Sequence, residues 1–343
     1  MLRGLHRRGI GCRLAAPPEG ELAQRAEQEG ISVLPLPSRG DFDPVAAFRL
    51  RQALGGVQIL HLHTGHAHAV GLLAVLGKTA PPAVLVSRRV DFPVKGGLLG
   101  RAKYGSRVNK FLAVSRFAAR VLVDGGVPPE SVVTVHSGVD ASRFDVPRDR
   151  EGLRQELAVP PSVQLVGFVG ALVGHKAPMD LLEALAGVPR SIHVVMAGDG
   201  ALKVDLKRRA ENDDLRGRVH FLGHREDVPR ILRSVDVFCL PSRQEGLGTS
   251  VLDAMASGTP VVAANGGGIP EMVEDMKSGI LVPANDPQSL GRKIHDVLHD
   301  ADLARRLAEG GRQRISEFSA DRMVERTLAV YEDVLADLLK GVK

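Results

Sequence analysis

The sequence predicts an α/β protein made of two doubly wound parallel-sheet domains, and three observations carry that prediction. Short β-branched runs alternate with amphipathic stretches in two successive series. A proline-flanked, charge-rich stretch at 146–162, VPRDREGLRQELAVPPS, separates the two. The 343 residues, 44% of them hydrophobic, suffice for two cores of ordinary size.

The first series comprises QILHLHT (58–64), AVLVSRR (83–89), KFLAVS (110–115) and VVTVHSG (132–138). Each run is followed by a turn or helix signal, the pattern of buried parallel strands. The second series runs through QLVGFVGA (164–171), IHVVMAGDG (192–200), VHFLG (219–223), VDVFCLPS (235–242), PVVAAN (260–265) and GILVP (279–283). The domains accordingly span 1–150 and 151–318, with the hinge in the charged stretch. A last helix, over about 319–340, carries Val324, Leu328, Tyr331, Leu335 and Leu338 on one face. The chain opens in LRGLHRRGIGCRLAAPP, which reads as helix and then strand. A doubly wound domain instead opens with its central strand and the glycine loop behind it. The expectation is a chain starting downstream of both, rather than an adapted fold, with a gap or unusually adjacent strands in the middle of the first sheet and a complete second domain.

Composition narrows the function classes. Cys12 and Cys239 lie in apolar runs with no metal spacing, which argues against a disulfide framework or zinc site and for a reducing compartment. Apolar runs such as AVGLLAVL (69–76) fall far short of the ~20 residues that cross a bilayer, and residues 1–16 do not read as a signal peptide. The net charge of +5 is uneven: residues 1–150 hold 21 Lys and Arg against 12 Asp and Glu, the remainder 24 against 28. A basic first half suits nucleic acid, an anionic membrane face or an anionic acceptor, or is simply solvated surface. With no Trp and 3% aromatic residues, nucleic acid is the weakest of these.

The most informative stretch is EGLGTSVLD at 245–253, running on as AMASGTPVVAANGGGIPEMV. Strand, glycine turn and helix follow one another here, with Leu247, Val251, Leu252 and Met255 spaced as a buried face. The first amides of such a helix lack intrahelical partners, so its N-terminus holds a phosphate without any side chain. Glu245 precedes the helix and Asp253 lies about two turns in. Two carboxylates so placed suit a hexose at one end and a ribose at the other. Alone, EGLG is equally an ordinary βα unit with a capping acid.

The whole segment 245–283 resembles the donor-site signature of the retaining group 1, family 4 type glycosyltransferases of GT-B fold: a glutamate, seven residues and a second glutamate. The resemblance covers nearly the entire chain, most strongly 165–290. It implies two Rossmann-like domains facing a central cleft, with residues 319–343 as a helix packing back toward the first. It further implies that Glu245 contacts the transferred sugar, that Gly246, Leu247, Gly248 and Thr249 line the diphosphate, and that Asp253 meets the ribose. Aspartate at 253 is shorter than the family's glutamate by roughly 1.5 Å, which makes a direct ribose contact doubtful or water-mediated.

Further motifs extend the resemblance. GALVGHKAP (170–178) is similar to a strand-end motif with a Gly-Arg pair and a lysine, which puts Gly170 and Lys176 at the donor. The arginine position is Ala171; His175, Arg89 and Arg243 are the candidates to replace it. A compact cation at 176 suits the leaving diphosphate. GHREDVP (223–229) resembles the loop that holds the base through backbone groups around His224 and Arg225, although Arg225 also reads as a solvated loop residue. AGDG (197–200) is a weakly specific strand-end turn, and NGGGIPEMV (265–273) a flexible turn below the donor helix.

In the first domain HLHTGHAH supplies His61, His63, His66 and His68. Histidines two apart on a strand point the same way and could suggest metal, yet no Asp, Glu or Cys stands nearby in sequence. The string resembles the family's His-x-His, which implies that His63 contacts sugar and acceptor. Arg88, Arg89, Lys95, Arg101 and Lys103 are the candidates for an anionic, lipid-linked or glycan acceptor or for the membrane surface.

The expectation is thus a retaining, metal-independent hexosyltransferase that needs no cofactor, takes a UDP- or GDP-sugar and serves cell-envelope polysaccharide, lipopolysaccharide or glycolipid synthesis. It would work in the cytoplasm, peripherally at the inner membrane face, without nucleic acid. His63, Lys176 and Glu245 are its expected catalytic residues. The rivals are a nucleotide-sugar epimerase of GT-B fold and a catalytically weakened nucleotide-sugar-binding subunit.

Overall fold

The computed structural model describes residues 1–37, 40, 42–89 and 103–341. The chain forms two compact units, Met1–His136 with Ala320–Lys343, and Ser137–Ser319.

The first unit runs α1 (Leu2–Arg7), β1 (Arg13–Ala16), α2 (Glu21–Gln28), β2 (Ser32–Pro35), α3 (Pro44–Ala53), β3 (Ile59–Leu62), α4 (Gly65–Val75), β4 (Ala83–Arg88), β5 (Lys110–Ala113), α5 (Arg116–Asp124) and β6 (Val132–Thr134). The strands β3, β4, β5 and β6 pair in that order and in parallel, whereas β1 and β2 form a separate parallel pair. Among the described residues the strands of this unit thus fall into two sheets. Local chemistry starts the helices. Asp43, Thr64 and Ser115 precede α3, α4 and α5, and each accepts a hydrogen bond from the amide three residues on, at 2.9, 3.1 and 2.9 Å.

The second unit carries α6 (Arg150–Glu156), β7 (Gln164–Val169), α7 (Pro178–Ala186), β8 (Ile192–Ala197), α8 (Lys203–Ala210), β9 (Val219–Gly223), α9 (Val228–Ser234), β10 (Val237–Leu240), α10 (Thr249–Ser257), β11 (Val261–Ala264), α11 (Ile269–Met272), β12 (Ile280–Val282), α12 (Pro287–His299) and α13 (Ala301–Ile315). Its six strands pair in parallel in the order β12-β11-β10-β7-β8-β9. The chain then returns to the first unit as α14 (Ala320–Gly341), whose Val330 and Val334 join Ala83, Leu85 and Leu112 in a core cluster.

Two expectations need correction. The charged stretch 146–162 is not the division between units, because Leu153 is fully buried with Val163, Leu165 and Val235. Asp236 anchors α6 through Arg150 at 2.6 Å and Arg154 at 2.7 Å, and it also accepts the Leu165 amide at 2.8 Å. The division falls after His136. The turn Ala141–Phe144 packs on α9 and α10, which ties the preceding residues to the second unit. In α14 the inward face centres on Val324, Thr327, Val330 and Val334, and Leu338 is 40% exposed. Of the expected face, Val324 is buried and Leu328, Tyr331 and Leu335 are half-buried, and it is at Leu338 that this face reaches solvent.

One buried cation fastens the floor of the second sheet. Arg218, 3% exposed, donates to the carbonyls of Leu185, Val188, Pro189, Ile192 and Asp214. Arg218→Met leaves these acceptors without their donor in the interior. A stability loss of about 3 kcal/mol is expected from denaturant melts, and an unchanged midpoint would refute this role.

Candidate functional site

The donor-side residues singled out in the sequence gather at the C-terminal ends of the parallel strands of the second unit, where ligands bind in open α/β sheets. Residue 170 follows β7, 198 follows β8, 224 follows β9, 241–248 follow β10 and 265–268 follow β11.

At the centre, Lys176 Nζ donates to Glu245 Oε1 at 2.5 Å, and Ser242 Oγ donates to the same oxygen at 2.9 Å. Ser242 is fully buried and Glu245 is 9% exposed. Oε1 thus accepts two hydrogen bonds from side chains that come from separate loops. Lys176 closes a 3₁₀ turn at Gly174–Lys176, and its aliphatic stem crosses Gly170, where a Cβ would stand 3.2 Å from it.

The loop carrying Glu245 rests on a floor of glycine. Gly268 N donates to Glu245 O at 2.9 Å, and a Cβ on Gly267 would overlap that same carbonyl oxygen. Gly267 also has φ +59°, so it serves both close approach and a left-handed turn. The 266–268 triplet is therefore a support that sets the height of the site loop, a role its sequence reading as a flexible turn does not contain. Gly198 does the same under the other loop, where a Cβ would overlap Gly170 O.

Helix α10 begins at Thr249 behind Gly248, which has φ +87° and offers no side-chain cap. Val251, Leu252, Ala254 and Met255 are fully buried. Asp253 thus lies about one turn into the helix, not two. It is half-buried, and burial pushes its carboxyl up to about 6 against the opposing pull of Arg143.

Other candidates have different surroundings. Arg225 donates to both oxygens of Asp227 at 2.7 Å and to Glu156, so its side chain is a structural tie between the loop and α6. The backbone around His224 is what that loop has to offer a ligand. Arg243 is paired with Asp180 at 2.8 Å, which argues against its standing in for the arginine missing at 171.

In the first unit His63 lies against His61, with ring centroids 4.2 Å apart and ring planes tilted by 33°. His61 bonds Tyr331 Oη at 2.6 Å and Ser87 Oγ at 2.8 Å, contacts that its place in the sequence does not foretell. Burial, and after it Arg89, lowers His63 to about 4, so it is neutral at pH 7. Arg88 donates to Tyr104 Oη at 3.0 Å, Lys103 donates to Gly65 O at 3.0 Å, and Arg89 is exposed. Lys95 and Arg101 lie outside the described residues. Among the described residues no cluster of three or more His, Cys, Asp or Glu could hold a metal ion, and no helix is long and apolar enough to cross a membrane.

Comparison with known proteins places these features in context. Residues 149–314 match the family model for glycosyl transferases group 1, and residues 1–143 match that for glycosyltransferase family 4. A D-inositol 3-phosphate glycosyltransferase of Salinispora arenicola is 32% identical over 318 residues, covering 83% of this chain and 70% of that protein. One from Corynebacterium kroppenstedtii is 33% identical over 222 residues, and there the match spans 60% of this chain and 49%, about half, of the relative. Two solved structures share the fold at 21% identity and a TM-score of 0.84. A glycosyltransferase from Rickettsia africae matches over 97% of this chain and 93% of its own. Anabaena Alr3699/HepE in complex with UDP matches over 96% and 94%.

Proposed function

The chain belongs to the group 1 glycosyl transferases, with the two-domain α/β GT-B fold, and from that premise we propose that it transfers a sugar from a nucleoside diphosphate donor to an acceptor hydroxyl with retention at the anomeric carbon. The observation that carries this reading is the Lys176–Glu245 pair beside the uncapped N-terminus of α10. The helix amides and the Lys176 ammonium supply positive charge where the leaving diphosphate develops negative charge, the task a divalent metal performs elsewhere. Glu245 faces the transferred sugar. Asp253 takes the ribose, and the backbone around His224 takes the base, uracil or guanine. In this mechanism the departing phosphate oxygen accepts the acceptor's proton on the face from which the sugar leaves.

On the acceptor side we assign His63 as a neutral hydrogen-bonding contact and Arg88, Arg89 and Lys103 as the ground for an anionic group. The names of the relatives favour a phosphate-bearing polyol over the envelope polysaccharides expected from sequence. Calorimetry with UDP-, GDP- and ADP-sugars, followed by anomeric assignment of the product by NMR, tests the reading. Absence of any donor binding would overturn it, as would epimerised donor in place of transfer.

The carboxyl of Asp253 gives a pH signature. Only its ionised form accepts from both ribose hydroxyls, and it titrates near 6. Nucleotide affinity should therefore fall by about tenfold between pH 7 and pH 5, as one acceptor is protonated. Stability runs the other way. With a folded value above the unfolded 3.8, the group's relative stabilisation is present below that value and is lost as pH rises through about 6. Asp253→Asn should flatten the binding profile, and an unaltered profile in that variant would remove Asp253 from the ribose.

A further inference from the structure

Helix α3 presents its larger apolar side chains to solvent. Its inward face consists of Ala46, Ala47 and Leu50, at 2, 6 and 6% exposure. At 100° per residue, Val45, Phe48, Arg49 and Gln52 share the opposite face. Val45 is 60% and Phe48 59% exposed, and Phe42, just ahead of the capping Asp43, is 78% exposed. A surface helix ordinarily shows the reverse pattern, and clustered exposed aromatics mark an interaction surface. The Arg51 guanidinium extends the patch by donating to Ala74 O at 3.1 Å and Leu76 O at 2.7 Å, which brings the end of α4 and the 47% exposed Leu76 alongside.

Along the sequence of this patch one sign of charge predominates. From Phe42 to Pro82 the sequence holds Arg49, Arg51 and Lys78 but a single acid, Asp43. Asp43 is buried and turned onto the Ala46 amide. Asp41, the acid next to this stretch in sequence, lies outside the described residues. Aromatic and aliphatic side chains at one level with arginine among them suit the boundary between acyl chains and anionic headgroups. A second copy suits it poorly, since a two-fold contact through this face would bring the same basic side chains together.

We propose that the exposed face of α3, formed by Phe42, Val45, Phe48 and Arg49, docks the first unit on an anionic lipid bilayer. This inference is independent of the donor-site reading. It also favours the lipid-linked source of a phosphate-bearing acceptor.

Vesicle co-sedimentation of the full chain tests it, with phosphatidylcholine alone and with about a third phosphatidylglycerol added, at low and high salt. The expected result is binding to the anionic vesicles at least about tenfold above the neutral ones, weakened by salt. Phe42→Ser with Phe48→Ser should abolish binding with an unchanged thermal midpoint, and Arg49→Glu should remove most of the salt-sensitive part. Failure of the wild type to sediment with anionic vesicles overturns the proposal, as does undiminished binding of the double variant. Lipid-free self-association that the double variant abolishes would also overturn it, since a second copy would then cover the face.

Discussion

Glu245→Gln lowers the rate of sugar transfer by about 10²- to 10³-fold, a loss of roughly 3–4 kcal/mol of transition-state stabilisation. The amide retains an oxygen that accepts from Ser242 and Lys176, so the loop on Gly267 and Gly268 stays in place and the thermal midpoint changes little. What disappears is the negative charge beside the sugar as positive character develops at its anomeric carbon. The same substitution should strengthen binding of the bare nucleoside diphosphate by several-fold. In the wild type the ammonium of Lys176 is partly neutralised by a carboxylate 2.5 Å away, and the diphosphate must share it. Opposite signs for transfer and product affinity are the signature of this geometry. A variant that keeps more than about a tenth of the wild-type rate, a loss under ~1.4 kcal/mol, would remove Glu245 from the reaction.

Much of the fold was legible because parallel strands buried on both faces leave continuous apolar runs. PVVAAN and VDVFCLPS, for example, contain β11 and β10. The strand β2 leaves no such signal, since SVLP is four residues long, ends in proline and shows no alternation. Composition marks 146–162 as a linker, whereas a single side chain, Leu153, and the ion pairs of Asp236 hold Arg150–Glu156 as a helix of the second unit. Within the candidate site, residue identities were visible in motifs, but their pairing was not. Lys176 and Glu245 are 69 positions apart, and only the adjacency of β7 and β10 brings their loops together. The role of the glycine triplet was hidden for the same reason. A sequence signals that glycine permits an unusual backbone, yet which carbonyl it must clear is fixed by the neighbouring strand.

Lys176→Met weakens nucleoside diphosphate binding by about 1.5–3 kcal/mol, roughly 10- to 100-fold, while the corresponding nucleoside loses little. The difference arises because only the diphosphate carries the charge that the ammonium meets. The single substitution also leaves Glu245, 9% exposed, without its cation, so the protein itself should lose stability. Fold and ligand effects are separated by pairing Lys176→Met with Glu245→Gln, which removes both charges. Stability should then return toward that of the wild type, while diphosphate affinity stays low. Recovery of diphosphate binding in the pair would mean that the single variant had failed through its unpaired carboxylate. Equal losses for nucleoside and nucleoside diphosphate would place Lys176 away from the phosphates and leave the N-terminus of α10 as their principal support.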